Sequence, residues 1–390
     1  MITREKVAAP DLFSEQSGVI SFAGGMPNLS VIPWHQLADD TDRLLRLGGP
    51  TVLQYTTPTV SRGLRRAIDA LMAMRGVPRD PRSVITTAGS QMGLAAVAQL
   101  LVQPGDVVIC EAPTYPGAIS AFTAAGARIV PVDITAGLTV ESVTAALEGA
   151  GARVAFYYTN PVLHNPTGRT LTADERAAVV SVCRSKGVLI VEDDPYGLLG
   201  FDPETAQPDS YVAVAPDTIY LGTFSKVFAP GLRVGWISAP DHLCDDLSFV
   251  VEAMTLAPPT LNHAIVAGFF SLGDWRGLID DYRAAYRRQA QAMTDGLTEL
   301  LGAESPWHWE KPSGGFYVWL THRDADADTR DLLPVATSAG ANFVPGAFFG
   351  ADGAYRNCIR LCFSANDEQQ TAEGVRRLAP VLRDFQGATR

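Results

Sequence analysis

Only four of the 31 basic residues in this 390-residue chain are lysines: Lys6, Lys186, Lys226 and Lys311. Any covalent chemistry that needs an amine therefore has four places to occur. Lys6 lies near the N-terminus, and Lys311 belongs to a polar loop. Lys186 falls in the last turn of a helical stretch, where a cation complements the dipole. Lys226 differs from all three. It follows the apolar run TIYLGTF and precedes VFAPGLRVGW. An amine among such residues loses hydration, its pKa falls, and the neutral form attacks carbonyls. A lysine can also extend out of a core to water, so its neighbours decide the matter.

Thr223, Ser225 and Arg233 sit on either side of Lys226 and supply donors suited to a dianionic phosphate. Gly89, Ser90 and Gln91 open a helix after a strand, where free amides and the positive dipole end also favour phosphate. The apolar run VLIVED ends in Asp193, with Tyr196 three residues on. A buried carboxylate there would keep a pyridine nitrogen protonated, the condition under which pyridoxal phosphate acts as an electron sink. Asn165, in HNPTG, and Tyr196 are donors for the phenolate oxygen of such a ring, and Tyr115 could stack on its face. Arg360 offers a fork for a substrate carboxylate, and in CIRLCFS the period of two sets it opposite Ile359, Leu361 and Phe363. Singly, each residue has an ordinary reading: a turn for NPTG, a helix cap for Asp193, core for Tyr115. Jointly, they converge on one cofactor.

Composition removes other classes. With 42 acidic against 31 basic side chains the net charge is −11, and no basic run occurs, so nucleic acid and anionic membrane are excluded as standing partners. No apolar run approaches the roughly 20 residues that span a bilayer, and MITREKVAAPDLF has no secretory apolar segment. Cys110, Cys183, Cys244, Cys358 and Cys362 form neither CxxC nor a zinc spacing, so no metal is expected and they read as reduced thiols of a cytoplasmic protein. No GxGxxG follows a strand, and neither a Walker loop nor a GxSxG elbow is present.

The elements that must position these groups alternate. SVITTAG reads as a strand and SQMGLAAVAQLLVQ as its helix. DVVICE, a helix over 113–125, ARIVPVD and ARVAFYYT follow. The helix TADERAAVVSVCRSKG has Thr172 and Glu175 as a capping box. VLIVED, TIYLGTFS and RVGWISA complete the set. Continuous apolar runs of this kind predict an α/β fold with a mostly parallel sheet covered by helices. Ligand sites in such sheets gather at the carboxyl ends of the strands. A long helix over about 274–302 leads to a smaller α+β domain, in which GGFYVWL, ANFVPGA and NCIRLCFS are separated by helices before DEQQTAEGVRRLAPVLRDF. The expected division is 1–45 as an N-terminal arm and part of the small domain, 46–285 as the large cofactor-binding domain and 286–390 as the small C-terminal domain.

In this order the motifs resemble those of the fold-type-I pyridoxal-phosphate-dependent aminotransferases, class I/II. The likeness runs from SFAGGMPNLSVIP and LQYTTPTVSRGLRRAI through ITTAGSQMGL, EAPTYPGAISAF, HNPTGRTLTADER and VEDDPYG. It continues in GTFSKVFAPGLRVGW, PSGGFYVWL, NFVPGAFF and IRLCFS. SFAGG and LQY single out the branch containing 2-aminoadipate and kynurenine aminotransferases and MocR-type effector domains. The resemblance implies that Lys226 carries the internal aldimine and shuttles the proton between Cα and C4′. It pairs Asp193 with the pyridinium nitrogen, Asn165 and Tyr196 with the phenolate, and Tyr115 with the ring face. Ser90, Gln91, Ser225 and Arg233, with Thr223, would hold the phosphate. Arg360 would fix the substrate α-carboxylate, beside Asn165 and the backbone at Gly24 and Gly25. Tyr55 would reach the phosphate of a neighbouring subunit, which implies a homodimer. The reaction implied is ping-pong transamination between an L-amino acid and a 2-oxo acid.

Two departures bear on specificity. His164 stands where the branch commonly has Gln, as a packing residue or as a group that tunes proton transfer near neutral pH. Some members carry an arginine about a dozen residues before SFAGG. Here that stretch reads AAPDLF and the nearest arginine is Arg4, so a neutral or unusual amino acid is expected rather than an acidic one. The same site chemistry also supports β-elimination (C–S lyase) or decarboxylating, oxidative deamination, which stand as the alternative. A MocR-type regulator would need a winged helix ahead of the 20 residues preceding SFAGG.

Overall fold

A computed structural model describes residues 17–55, 60–78, 84–202, 209–385 and 387; Arg4, Lys6 and the AAPDLF stretch lie outside them. Along the chain come β1 (Ile20–Ser21), α1 (Trp34–Gly48) and α2 (Arg62–Ala73), then β2 (Val84–Thr87), α3 (Ser90–Leu101), β3 (Val107–Ala112), α4 (Pro116–Ala124), β4 (Arg128–Asp133), α5 (Val140–Glu148), β5 (Val154–Thr159), α6 (Ala173–Lys186) and β6 (Ile190–Asp193). Strands β7 (Ile219–Thr223) and β8 (Gly235–Ser238) lead to α7 (Asp241–Thr255), α8 (Thr260–Leu272) and α9 (Trp275–Leu301). The C-terminal part holds β9 (Trp307–Trp309), β10 (Tyr317–His322), α10 (Leu332–Ser338), β11 (Ala341–Asn342), β12 (Val344–Pro345), β13 (Cys358–Cys362) and α11 (Glu368–Asp384).

Among the described residues the central sheet has seven strands in the order β2-β8-β7-β6-β5-β3-β4. Strands β3 to β7 run parallel, and β8 is antiparallel to both its neighbours. The sheet is mostly parallel, as expected, and its one reversed strand has a reason of length. Residues 224–234 are too few for the helical crossover that a parallel return requires, so the chain doubles back. That short return carries Lys226. The strands are buried on both faces, as their apolar runs require. Edge strand β4 is largely exposed, with only Val132 buried, and tolerates Pro131. Leu94, Phe122 and Leu247 of α3, α4 and α7 cover one face; Val143 and Val179 of α5 and α6 cover the other.

Several expectations shift in detail. The helix expected from Pro113 begins at Pro116, with Tyr115 as its N-cap, since proline at the first helical position is preorganised for it. The run ANFVPGA divides between two sheets. Residues Ala341–Asn342 pair with β1 in parallel, whereas Val344–Pro345 pair with β13, and a 3-10 turn over Gly346–Phe349 rather than a helix precedes β13. Helix α9 runs unbroken through the expected 285/286 boundary. Its Tyr282 hydroxyl donates to the Phe228 carbonyl at 3.0 Å, which anchors the loop that bears Lys226. Stacked rings of Phe228 and Phe269, 4.5 Å apart, reinforce that anchor from α8.

The capping box of α6 forms as its sequence requires. Thr172 accepts from the Glu175 amide at 3.3 Å, and Glu175 accepts from the Thr172 amide at 2.8 Å. Glu175 also accepts from the Leu138 amide at 2.9 Å and pairs with Arg169. Thr172→Ala is therefore expected to lower stability by about 1 kcal/mol, and Glu175→Ala by more, read from urea unfolding midpoints at constant slope. Equal midpoints for both variants and the parent would show that the box carries no stability.

Candidate active site

The carboxyl ends of β3, β5, β6 and β7 open beneath β13 on a cavity of about 370 Å³. Eleven of the residues singled out from sequence line it: Lys226, Asp193, Tyr196, Asn165, Tyr115, Arg360, Ser90, Gln91, Ser225, Arg233 and Gly25. Thr223, Gly24 and Gly89 are not among its lining residues, and neither is Tyr55, which is 77% exposed on the outer surface.

The part lined by Ser90, Gln91, Ser225 and Arg233 is built for an anion. Helix α3 starts at Gly89, whose φ is +81° and which offers no capping side chain. The first-turn amides of Ser90 and Gln91 therefore lack intrahelical acceptors. A Cβ at Gly89 would come within 2.3 Å of the Arg233 guanidinium, and one on Gly235 would lie 2.8 Å from the Ser90 nitrogen, so only glycine keeps this cup open. Arg233 is held by donation to the Ala88 carbonyl at 2.9 Å, and its other terminal nitrogen lies 3.5 Å from Ser225 Oγ. Thr223 stands behind the cup rather than in it: its Oγ1 accepts from the Ser225 amide at 3.1 Å. Gln91 spends its side-chain amide on the Gly117 carbonyl at 2.8 Å, which leaves its backbone N–H for an anion.

Asp193 ends β6 beneath the middle of the cavity. Its Oδ2 accepts from Tyr158 at 3.1 Å, while its Oδ1 is buried with no partner among the described residues. Burial pushes this carboxyl up to about 7, against the opposing pull of the Tyr158 hydroxyl. A buried acceptor without a donor is costly, and a protonated pyridine nitrogen would satisfy it. Lys226 donates from Nζ to the Gly25 carbonyl at 2.7 Å, and burial pulls its amine down to about 8. Arg360, 3% exposed, donates to Asn165 Oδ1 at 2.9 Å and to the Ala23 carbonyl. This bond identifies Oδ1 as the acceptor of the Asn165 amide and frees Nδ2 to donate to a ring oxygen. Arg360 Nε is buried without a partner among the described residues, ready for a carboxylate. The Tyr196 and Tyr317 hydroxyls lie 2.9 Å apart.

His164 is not among the residues lining the cavity and fits the packing alternative of the two expected for it. Its Nδ1 is 2.9 Å from Thr167 Oγ1, and burial drives its pKa down to about 3. It stays neutral across the physiological range, bracing the NPTG turn, and does not titrate near pH 7. The other two described lysines have the roles expected of solvated cations: Lys186 pairs with Glu148 at 2.7 Å, and Lys311 lies 3.7 Å from Asp295.

Three residues were not singled out from sequence. Tyr317 touches Tyr196 and bounds Gly25, where a Cβ would fall 2.3 Å from the tyrosine hydroxyl. Tyr158 and Asn160 close the floor around Asp193. The usable signal was position, since 158 and 160 lie two apart at the carboxyl end of a strand.

An amine, a partnerless carboxylate, a buried guanidinium and an anion cup around one cavity match the parts of pyridoxal phosphate and of an amino-acid substrate. The fold and site thus define a pyridoxal-phosphate enzyme with the large-sheet architecture. Residues 20–378 match the family model described as aminotransferase class I and II, and the chain belongs to that family. It is 32% identical to aromatic-amino-acid aminotransferase 1 of Thermococcus litoralis, over 95% of this chain and 89% of that one. Identity to the 2-aminoadipate transaminase of Thermus thermophilus is also 32%, over 95% and 91%. The crystal structure of the Thermus thermophilus α-aminoadipate aminotransferase, complexed with N-(5'-phosphopyridoxyl)-L-leucine, superposes with a TM-score of 0.87 at 31% identity, covering 94% of this chain and 92% of that one. The protein is a pyridoxal-phosphate-dependent aminotransferase, moving an amino group from an amino acid to a 2-oxo acid.

Proposed function

We propose that this aminotransferase works by ping-pong exchange on a neutral L-amino acid, with Lys226 as the covalent anchor and proton carrier. The observation that carries this reading is the convergence of the Lys226 amine, the unpartnered Asp193 Oδ1 and the Arg360 guanidinium on one cavity. Ser90, Gln91, Ser225 and Arg233 hold the phosphate, and Tyr115 covers the ring face. Asp193 would pair with the ring nitrogen, while Asn165 Nδ2 and the Tyr196 hydroxyl would donate to the ring oxygen. Bound there, the cofactor supplies the electron sink for the bond broken at the substrate Cα. Arg360, braced by Asn165 and Ala23, grips the α-carboxylate, with Gly25 leaving room above. Lys226 Nζ, once freed, takes the proton from Cα.

Among the described residues the cavity is lined by three cations, Lys226, Arg233 and Arg360. Each is assigned to amine chemistry, phosphate or α-carboxylate, which leaves none for a side-chain carboxylate and favours a neutral substrate. A homodimer is the proposed unit. Leu47, Leu53 and Tyr55 are 67–77% exposed on α1 and the turn after it, and this turn is tied to α8 by the Thr260 hydroxyl donating to the Gln54 carbonyl. Exposed apolar area of this kind marks an association surface, and Tyr55 on it would serve a partner's phosphate cup. The division at 1–45, 46–285 and 286–390 is proposed with α9 as the shared wall. A cytoplasmic setting suits five buried free thiols. Among the described residues no helix is long and apolar enough to cross a membrane.

Incubation with a panel of amino acids, with and without 2-oxoglutarate, tests the reading. Product that depends on the acceptor, with neutral amino acids preferred over 2-aminoadipate, is the expected result. Ammonia release or oxygen consumption without an acceptor would overturn it in favour of elimination or oxidative deamination.

A further inference from the structure

We propose that Asn160 is a positioning residue that ties the ring-nitrogen partner, Asp193, to the ring-oxygen partner, Asn165, and that Glu111 holds it in place. The proposal rests on the reading that Asp193 and Asn165 face those two atoms of pyridoxal phosphate. The nitrogen and the phenolate oxygen belong to one rigid ring, yet their protein partners come from separate segments. Asp193 ends β6, and Asn165 lies in the turn beyond β5. Something must set the distance between the two, because a site of this kind works only when its groups are held to roughly half an ångström.

Asn160 spans that gap with both halves of its amide. Its Nδ2 donates to the Asp193 backbone carbonyl at 2.7 Å, and its Oδ1 accepts from the Asn165 backbone amide at 2.8 Å. A side-chain amide donates and accepts at once; a carboxylate would lack the donor and a hydrocarbon would lack both. Asn160 is in turn fixed from below. Glu111 on β3 accepts from the Asn160 backbone amide at 3.2 Å through one oxygen and from the Thr159 hydroxyl at 2.6 Å through the other. Glu111, Thr159 and Asn160 are each at most 2% exposed, so water cannot replace any of these bonds. The bridge runs across three adjacent strands, β3, β5 and β6, at the rim where the cofactor sits.

The test compares the holoenzyme with Asn160→Ala, Asn160→Ser and Glu111→Gln. Serine keeps a polar group but is too short to reach both ends. The readouts are the pH midpoint of the visible cofactor band, kcat and KM separately, and melting of the cofactor-free protein as a folding control. Folded Asn160→Ala, or Asn160→Ser should the alanine variant not fold, is expected to shift the midpoint by roughly one pH unit. It is also expected to lower kcat about tenfold with KM nearly unchanged, and Glu111→Gln should shift the midpoint in the same direction by less. A folded Asn160 variant with the parent's midpoint and kcat would overturn the proposal and leave the cofactor reading intact. A parent protein that takes up pyridoxal phosphate without any visible band would overturn both.

Discussion

Lys226→Ala should still bind pyridoxal phosphate but lose turnover by at least roughly 10⁴-fold. The two properties separate because the anion cup does not involve the lysine. Arg233 and Ser225 keep their places through bonds to Ala88 and Thr223, and Gly89 through its amide to the Thr87 carbonyl. No other described cation in the cavity can substitute, since a guanidinium does not deprotonate in a protein. Borohydride should fix the cofactor irreversibly in the parent and leave it removable from the variant. The pH dependence follows from burial, which pulls the amine down to about 8. Below that value the amine is protonated and cannot attack; above it the neutral form dominates. Covalent capture of the cofactor by the empty parent protein should therefore rise roughly tenfold per pH unit up to about pH 8 and then level off. Parent-like turnover by Lys226→Ala would remove this lysine from its role.

Asp193→Asn is the second large effect, and it should act in opposite directions on turnover and on stability. The amide keeps an acceptor for the Tyr158 hydroxyl, so the floor of the site survives. What disappears is the negative charge that holds a ring nitrogen protonated, and a loss of roughly 10²–10³-fold in kcat is expected. The cofactor-free protein should respond differently. Burial raises the Asp193 carboxyl from its ordinary range to about 7 in the fold, so between roughly pH 4 and 7 the folded state binds more protons than the unfolded one. Stability from this group falls as pH rises through that window and stays low above it. Neutralising the side chain should thus raise the melting temperature of the cofactor-free protein at pH 8 and do little at pH 4. A variant that loses activity and stability together at pH 8 would mean that Asp193 is merely structural.

The two substitutions probe one trade-off. A carboxylate and an amine held in a buried site each cost the empty fold, and both recover that cost with the cofactor in place. Neighbouring Asp194 shows the contrast. It is buried as well, but it pairs with Arg75 at 2.6 Å and accepts from the Gly197 amide at 3.0 Å, so its charge is satisfied within the protein. Adjacent positions on one strand end therefore serve opposite ends, one for the fold and one for the ligand.

The α/β alternation was legible because buried parallel strands must be apolar throughout and because α6 announces itself with Thr172 and Glu175. Helix α8 was not legible. It packs on α2 and on the aromatic core together, with His263, Val266, Phe269 and Phe270 buried, so its apolar residues show no clean stripe. The direction of β8 was hidden too, since residue patterns record burial and not the sense of the chain. Its reversal is what places Lys226 in a tight return at the rim.

Residue types in a fixed order were enough to name the chemistry here. An isolated lysine after a strand, an aspartate ending another and an arginine on an alternating third limit the cofactor to one class, because reactivity belongs to functional groups. Geometry across long separations was decided only in three dimensions. Arg360 meets Asn165 across 195 positions and Lys226 meets Gly25 across 201. Those meetings set which side-chain amide atom of Asn165 is occupied and where the amine waits. Burial decided the rest: it left His164 neutral at a pKa of about 3 and lifted Asp193 to about 7. A side chain's charge depends on the water it loses, and that loss is a property of everything folded around it.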